Sequence, residues 1–445
     1  MSSNKRFKSG RISRFTGLSK SLLVASGHLA MDKIQSKFGD LSQKQEELKD
    51  FQSKIKATKE IVQQMGSLKG ALMKLGQMIS ITEDLVLPPE ITKIFKDLQR
   101  NAPSMDDRDL DEVFKSSFGK SPEEIFKSFN RSPIAAASIG QVHEGVLPGG
   151  EKVAIKVQYP KIVNAIKADF SNIEQLKKLL KLIFPAIPNI DNYLQELRRT
   201  LFLECDYINE AKNINWFREH VVPRIKGLYI PAVYSDYSSK NVLTMEFITG
   251  DTYEKTRQYS KSDRDRLGQI IYDLHMLCLY ELNTVHTDPQ NGNYFFTPEK
   301  VILIDFGSIR KFPREFIEKY IALIKSIEND DFKRYKKTVQ EMGFMSEADN
   351  EKVLLNHFKL VCDLYLPYTK SGRYGISPQD PFQMIQNFAK TVSLKGKKTP
   401  REEFLLLDRS NLGLYTKLKF WDSEIEWLTS KHAAWDNFSK KSDST

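Results

Sequence analysis

Residues 286–307 read HTDPQNGNYFFTPEKVILIDFG, and the reading of this stretch decides the fold. Its first part is a polar turn, with Pro289, Asn291 and Gly292 available for bends. Two short apolar runs follow, Tyr294–Phe296 and Val301–Ile304, separated by Thr-Pro-Glu-Lys, which is the pattern of a β-hairpin. Asp288 precedes this hairpin by a few residues, Asn293 stands at its entrance and Asp305 at its exit. An oxygen donor on the loop and a carboxylate reached after the hairpin can close on a hard cation from two sides. Asp288, on the same loop, is then left to face an attacking hydroxyl.

Two pieces upstream complete the set. Ala135-Ala136-Ala137-Ser138-Ile139-Gly140-Gln141-Val142 fits the G-x-G-x-x-G-x-V loop with alanine at the first two glycine positions. Val153-Ala154-Ile155-Lys156 is a literal V-A-I-K strand, His286-Thr287-Asp288 with Asn293 has the spacing of H-R-D-L-x-x-x-N, and Asp305-Phe306-Gly307 is a D-F-G. The order has a physical reason: a loop over the triphosphate must precede the strand whose lysine reaches the α- and β-phosphates. Each piece alone is weak, since V-A-I-K can be any buried strand. Four in order, each in its local context, specify kinase-like phosphoryl transfer from ATP. The candidate nucleotide-binding residues are Ala135, Ala136, Ala137, Ser138, Val142 and Lys156; Asn293 and Asp305 are the candidate ligands of Mg2+. Met245-Glu246-Phe247-Ile248 ends a strand and suits a hinge, where the backbone of Glu246 and Ile248 would meet the adenine. A plain buried strand end reads equally well there.

The lysine needs a carboxylate partner, and Glu204 and Glu210 both qualify. Six apart on a helix, they are about 120° out of phase, so only one can easily face Lys156. Either requires an inserted segment near 160–190. The departures from the protein-kinase pattern matter as much. Thr287 replaces the H-R-D arginine, so no basic pocket awaits a phosphorylated activation loop. No A-P-E follows Asp305, which removes the platform for a peptide substrate. Alanine for glycine restricts the backbone conformations that let a loop approach phosphate.

The rest of the chain bounds the partners. It has 445 residues, 40% hydrophobic and 28% charged, enough for a sizeable core and two or three domains. The net charge of +10 fits a phosphate ligand, an anionic membrane or nucleic acid. Six of those charges, Lys5, Arg6, Lys8, Arg11, Arg14 and Lys20, lie in residues 1–31, which contain no acid. Ile12, Phe15, Leu18 and Leu22 would share one helix face there, giving a basic amphipathic helix on a membrane, an organelle-targeting peptide or a disordered tail. Little aromatic interleaving argues against nucleic acid. Three cysteines without CxxC spacing exclude a disulfide scaffold or cysteine zinc site. No run approaches the roughly 18 apolar residues of a membrane span, so the chain is expected to be soluble or peripheral.

Helical spacing through 41–100, strands at 153–157 and 242–249, long helices at about 161–184 and 191–219, and mostly helix after 263 predict an α+β fold with a helical N-terminal extension. The expected divisions are a basic segment 1–40, the extension 41–128, an N-lobe with a helical insert 129–250 and a C-lobe 251–440. Trp421, Trp427 and Trp435 are expected to pack the C-terminal helices, with anchorage at a lipid interface as the alternative.

These departures resemble the UbiB, or AarF-like, atypical kinases. Their signatures are an alanine-rich loop, matched from Pro133 to His143, a K-x-G-Q motif, here Lys74-Leu75-Gly76-Gln77, and an E-x-D motif, here Glu204-Cys205-Asp206. The likeness runs from about residue 60 to about 420. It leaves Glu210 as the better partner of Lys156. It implies a protein-kinase-like two-lobed fold whose extension folds over the place of a peptide substrate, with Lys74 and Gln77 on one helix face toward Glu204 and Asp206. It further implies an ATP- and Mg-dependent ATPase or atypical kinase supporting ubiquinone and related prenyl-lipid synthesis, with little protein kinase activity. Anionic lipids, prenyl-quinone intermediates and a quinone-biosynthesis protein complex would be its partners. The location would be a membrane surface, the cytoplasmic face of a bacterial inner membrane or, in a eukaryote, mitochondrial. Two readings compete. A small-molecule kinase of the aminoglycoside or choline type also lacks A-P-E, but the K-x-G-Q helix argues against it. A silent nucleotide- and lipid-binding scaffold has against it the full complement of Lys156, Asp288, Asn293 and Asp305.

Overall fold

The computed structural model describes residues 105–137, 139–170, 177, 190–343, 351–365, 369–376 and 402–440. The basic segment, the K-x-G-Q residues Lys74 and Gln77, and Ser138 of the alanine loop lie outside the described residues. The chain divides into two compact units, residues 1–209 with 233–247 and residues 210–232 with 248–445.

In the first unit Val153, Ile155 and Val157 alternate along a strand and are completely buried, the period-two pattern of a half-buried sheet. The sheet contains β1 (Ser128–Phe129), β2 (Ala135–Ala136), β3 (Gly140–Val146), β4 (Lys152–Gln158) and β6 (Val242–Glu246) in the antiparallel order β1-β3-β4-β6, with β2 also on β3. The strand expected over 242–249 thus ends at Glu246, because Phe247 donates its N–H back to Lys152 O and the chain then leaves the sheet. Helix α1 (Asp107–Phe118) covers one face. Asp106 caps its first turn by accepting from the Asp109 N–H, and Gly119 closes it at φ 73°. Leu110, Val113 and Phe114 fall on one helix face, and Phe126, at the end of the short α2 (Pro122–Ile125), joins them against the sheet. Gly140 is required where β3 meets β4: a Cβ there would stand 2.1 Å from Val157 O.

Helices α3 (Ile162–Phe170), α4 (Ile190–Glu204) and α5 (Tyr207–His220) follow. One helix was expected over 191–219; two are present. The break falls at Cys205-Asp206, where the Asp206 carboxylate accepts from the Asn209 N–H and starts a new helix as its cap.

The second unit holds a three-stranded sheet ordered β5 (Leu228–Tyr229), β9 (Lys300–Leu303), β8 (Tyr294–Thr297), and a two-stranded ribbon of β7 (Thr284–His286) with β10 (Ile309–Lys311). Its helices are α6 (Lys261–Met276), extended by a π-helical turn Leu277–Glu281, then α7 (Arg314–Glu328), α8 (Phe332–Glu341), α9 (Glu351–Tyr365), α10 (Glu402–Trp421) and α11 (Leu428–Lys440). A last small ribbon joins β11 (Arg373–Tyr374) to β12 (Ile425–Glu426). Trp421 and Trp427 are completely buried and Trp435 nearly so. Trp421 donates to Thr256 Oγ1 and Trp427 to Tyr374 O, so these indoles pack the unit's helices and do not face lipid. Among the described residues no helix is long and apolar enough to cross a membrane.

Candidate active site

Each unit carries its own share of the expected residues. Lys156, Val142, Ala135, Ala136, Ala137, Glu204, Asp206 and Glu246 belong to the first; Glu210, Ile248, Asp288, Asn293 and Asp305 belong to the second.

In the first unit the alanine loop is the tip of a β-hairpin. Ala135 pairs with Val142 and Ala136 with Gln141, and Ala137 N–H donates to Gly140 O across the turn. Val142 in turn lies opposite Lys156 on β4, whose other neighbour is Leu243. The lysine Nζ stands 5.4 Å from the centre of the Tyr207 ring, a cation–π contact at the first turn of α5 that the sequence did not announce. Gln158, at the end of the same strand, donates to Cys205 O, tying the E-x-D segment to the lysine strand. Burial and the flanking charges of Glu204 and Asp206 push the Cys205 thiol up to about 12, so it is an inert packing group. Glu246 ends β6 opposite Val153.

In the second unit the expected hairpin is present as β8 and β9. Tyr294 pairs with Leu303, and Ile304 N–H donates to Asn293 O. Asn293 and Asp305 therefore leave the hairpin at the same end. The Asn293 side-chain amide donates to Asp288 O, which fixes the loop between them, and Asp305 accepts from the Gly307 N–H. Ribbon β7–β10 then locks loop to D-F-G: His286 lies opposite Ile309, and both N–H and hydroxyl of Thr287 donate to Ser308 O. His286 bridges the two aspartates' backbones. Its Nδ1 accepts from the Asp288 N–H while its Nε2 donates to Asp305 O, which requires the tautomer with the proton on Nε2.

Phe306 is completely buried against Phe217 of α5, ring centres 5.0 Å apart. Its main chain is held at both ends by α5: Phe306 N–H donates to Glu210 Oε1, and Asn213 Nδ2 donates to Phe306 O. Glu210, expected as the lysine's partner, braces the D-F-G segment.

Three contacts from α10 were not foreseen. Arg409 Nη2 forms an ion pair with Asp288 Oδ1 at 3.1 Å, both side chains being buried. Ser410 donates to His286 O, and Lys417 donates to Pro289 O. Burial pushes the Lys417 ammonium down to about 7, against the pull of the Asp288 charge. A cavity of about 40 Å³ lies beneath the loop, lined by His275, Cys278, His286, Pro289, Ser410 and Lys417 among others; it has room for water but not for a nucleotide.

The donor set suits magnesium. Among the described residues no group of three His, Cys, Asp or Glu could hold a metal unaided. One amide oxygen and one carboxylate at a hairpin end are hard oxygen donors of the kind that share a magnesium ion with substrate phosphates and water.

The five-stranded antiparallel sheet, the loop–hairpin–D-F-G order and the helical second unit define a protein-kinase-like fold. A family model for the ABC1 atypical kinase-like domain matches residues 97–339. The chain belongs to this UbiB/AarF-like family of atypical kinases. The mitochondrial atypical kinase COQ8B of Danio rerio is 30% identical over 370 residues, 81% of this chain and 58% of the relative. The mitochondrial atypical kinase COQ8 of Saccharomyces cerevisiae is 30% identical over 314 residues, 69% of this chain and 62% of the relative. The chain spans under two thirds of the length of both. Among solved structures, a complex of Rv3197 with erythromycin from Mycobacterium tuberculosis shares the fold at a TM-score of 0.56 and 23% identity, covering 84% of this chain and 94% of that one.

Proposed function

We propose that the chain is an ATP- and Mg-dependent atypical kinase or ATPase supporting ubiquinone biosynthesis as a peripheral protein of a membrane, in mitochondria if the source is a eukaryote. The observation that carries the reading is the β8–β9 hairpin, whose one end bears Asn293 and Asp305, with Asn293 bonded to Asp288. Lys156 binds the α- and β-phosphates, and Glu210 keeps it in register. Ala135, Ala136, Ala137, Ser138 and Val142 cover the nucleotide, and the backbone of Glu246 and Ile248 receives the adenine. Asn293 and Asp305 hold the magnesium ion, which neutralises charge on the phosphates. Asp288 orients the attacking hydroxyl or water and takes its proton.

The missing A-P-E segment and Thr287 favour water or a small acceptor over a protein substrate. Lys74, Gln77, Glu204 and Asp206 act as the regulatory motifs of the family, limiting access of a protein substrate. Residues 1–31, with six cations and no acid, bind anionic lipid. Prenyl-quinone intermediates and a quinone-biosynthesis complex are the partners that go with this reading.

ATP hydrolysis is to be measured with vesicles of phosphatidylcholine alone and with added phosphatidylglycerol. Pelleting of the full chain is to be compared with that of a chain lacking residues 1–31. Turnover raised by the anionic vesicles, with pelleting lost on truncation, supports the reading. Turnover indifferent to both vesicles removes the membrane role.

A further inference from the structure

Helix α10 presents one stripe to the loop that carries Asp288. Arg409, Gly413 and Lys417 are four residues apart in succession and so share a face. Arg409 pairs with Asp288, and Lys417 donates to Pro289 O. Gly413 lies between them, so close to the loop that a Cβ would stand 2.2 Å from Pro289 Cβ. Ser410, beside the stripe, donates to His286 O. Four helix residues thus seat His286, Asp288 and Pro289.

We propose that this face of α10 is the positioning element of the catalytic loop, and that Arg409 is the positioning residue of Asp288. The inference rests on the role given to Asp288 above. The loop itself carries no lysine or arginine beside Asp288, and Thr287 stands at the H-R-D arginine position. The Thr287 hydroxyl bonds Ser308 O, which ties the loop to its ribbon but brings no charge to Asp288. Arg409 brings that charge from the far end of the sequence. The Arg409–Asp288 side chains are 8% and 6% exposed, so little solvent screens the pair. The guanidinium donates through Nη2 to Asp288 Oδ1 at 3.1 Å.

Arg409→Gln and Arg409→Lys are made in the full chain, and ATP turnover is measured beside hydrogen exchange of the loop amides 287–293. In Arg409→Gln, kcat should fall about 10- to 100-fold, the worth of a charge-assisted hydrogen bond, with KM for ATP changed less than about twofold. Loop exchange should rise while exchange in α6 stays as in the wild type. Arg409→Lys should recover part of kcat, and it keeps the test open if the glutamine variant does not fold. In Arg409→Ala, added guanidinium should raise kcat where urea does not. Wild-type kcat and wild-type loop exchange in Arg409→Gln would overturn the proposal. Equal losses in KM, kcat and α6 protection would overturn it too, by revealing a general packing role. If the wild type turns over no ATP, the catalytic reading fails by itself, and the exchange data still decide whether Arg409 holds the loop.

Discussion

Lys417 supplies a prediction whose size follows from its burial. The side chain is 2% exposed, and its ammonium is pushed down from 10.5 to about 7. Converted at about 1.4 kcal/mol per unit, the charged form is disfavoured in the folded state by roughly 5 kcal/mol. The unfolded chain keeps its proton up to about pH 10.5, whereas the folded chain gives it up near pH 7. Between these values the unfolded state binds more protons, so stability rises with pH. Across about pH 7.5 to 9.5 the gain is roughly 2 to 3 kcal/mol. Lys417→Met removes the titration and also the bond to Pro289 O, but that loss is constant with pH. The thiols of Cys205, Cys278 and Cys362 and the phenols of Tyr253, Tyr294 and Tyr335 are pushed upward by burial and act with the opposite sign as pH rises through their unfolded values; they are common to both proteins. Urea unfolding at three pH values, followed by the fluorescence of Trp216, Trp421, Trp427 and Trp435, all in the second unit, measures the slopes. A wild-type stability change more positive than that of Lys417→Met by roughly 2 to 3 kcal/mol across this range is expected. Parallel slopes would refute the reasoning.

Other outcomes follow from single contacts. Trp421→Ala should destabilise the second unit by about 3 to 5 kcal/mol, whereas Trp421→Phe, which keeps most of the ring but not the bond to Thr256, should cost clearly less in the same urea titration. Asp206→Ala removes the cap of α5 and should cost about 1 kcal/mol, with Asp206→Asn close to wild type in thermal melts.

Legibility tracked sequence distance. The loop, the hairpin and the D-F-G lie within 22 residues of one another, and their spacing was readable because each part constrains the next. The sheet strands were readable from the alternation of Val153, Ile155 and Val157. Ribbon β7–β10 was not, since three residues on each side are too few to show a period. The break between α4 and α5 was hidden because Asp206 looks like any exposed acid until its carboxylate is seen capping Asn209. The α10 stripe was the least legible. Arg409 meets Asp288 across 121 positions, and nothing local distinguishes Arg409, Gly413 and Lys417 from the packing face of an ordinary helix. The K-x-G-Q residues Lys74 and Gln77 lie outside the described residues, and their regulatory role stays with the proposal.

The central claim is that the residues at the β8–β9 hairpin serve magnesium-dependent turnover of ATP. Release of phosphate from ATP by the full chain is the direct measurement, with magnesium and with chelator, for the wild type, Asp305→Asn and Asp288→Asn. Turnover that needs magnesium and falls by at least about a hundredfold in both variants is the expected result. Turnover unchanged by either variant, or ATP binding with no turnover under any of these conditions, would contradict it.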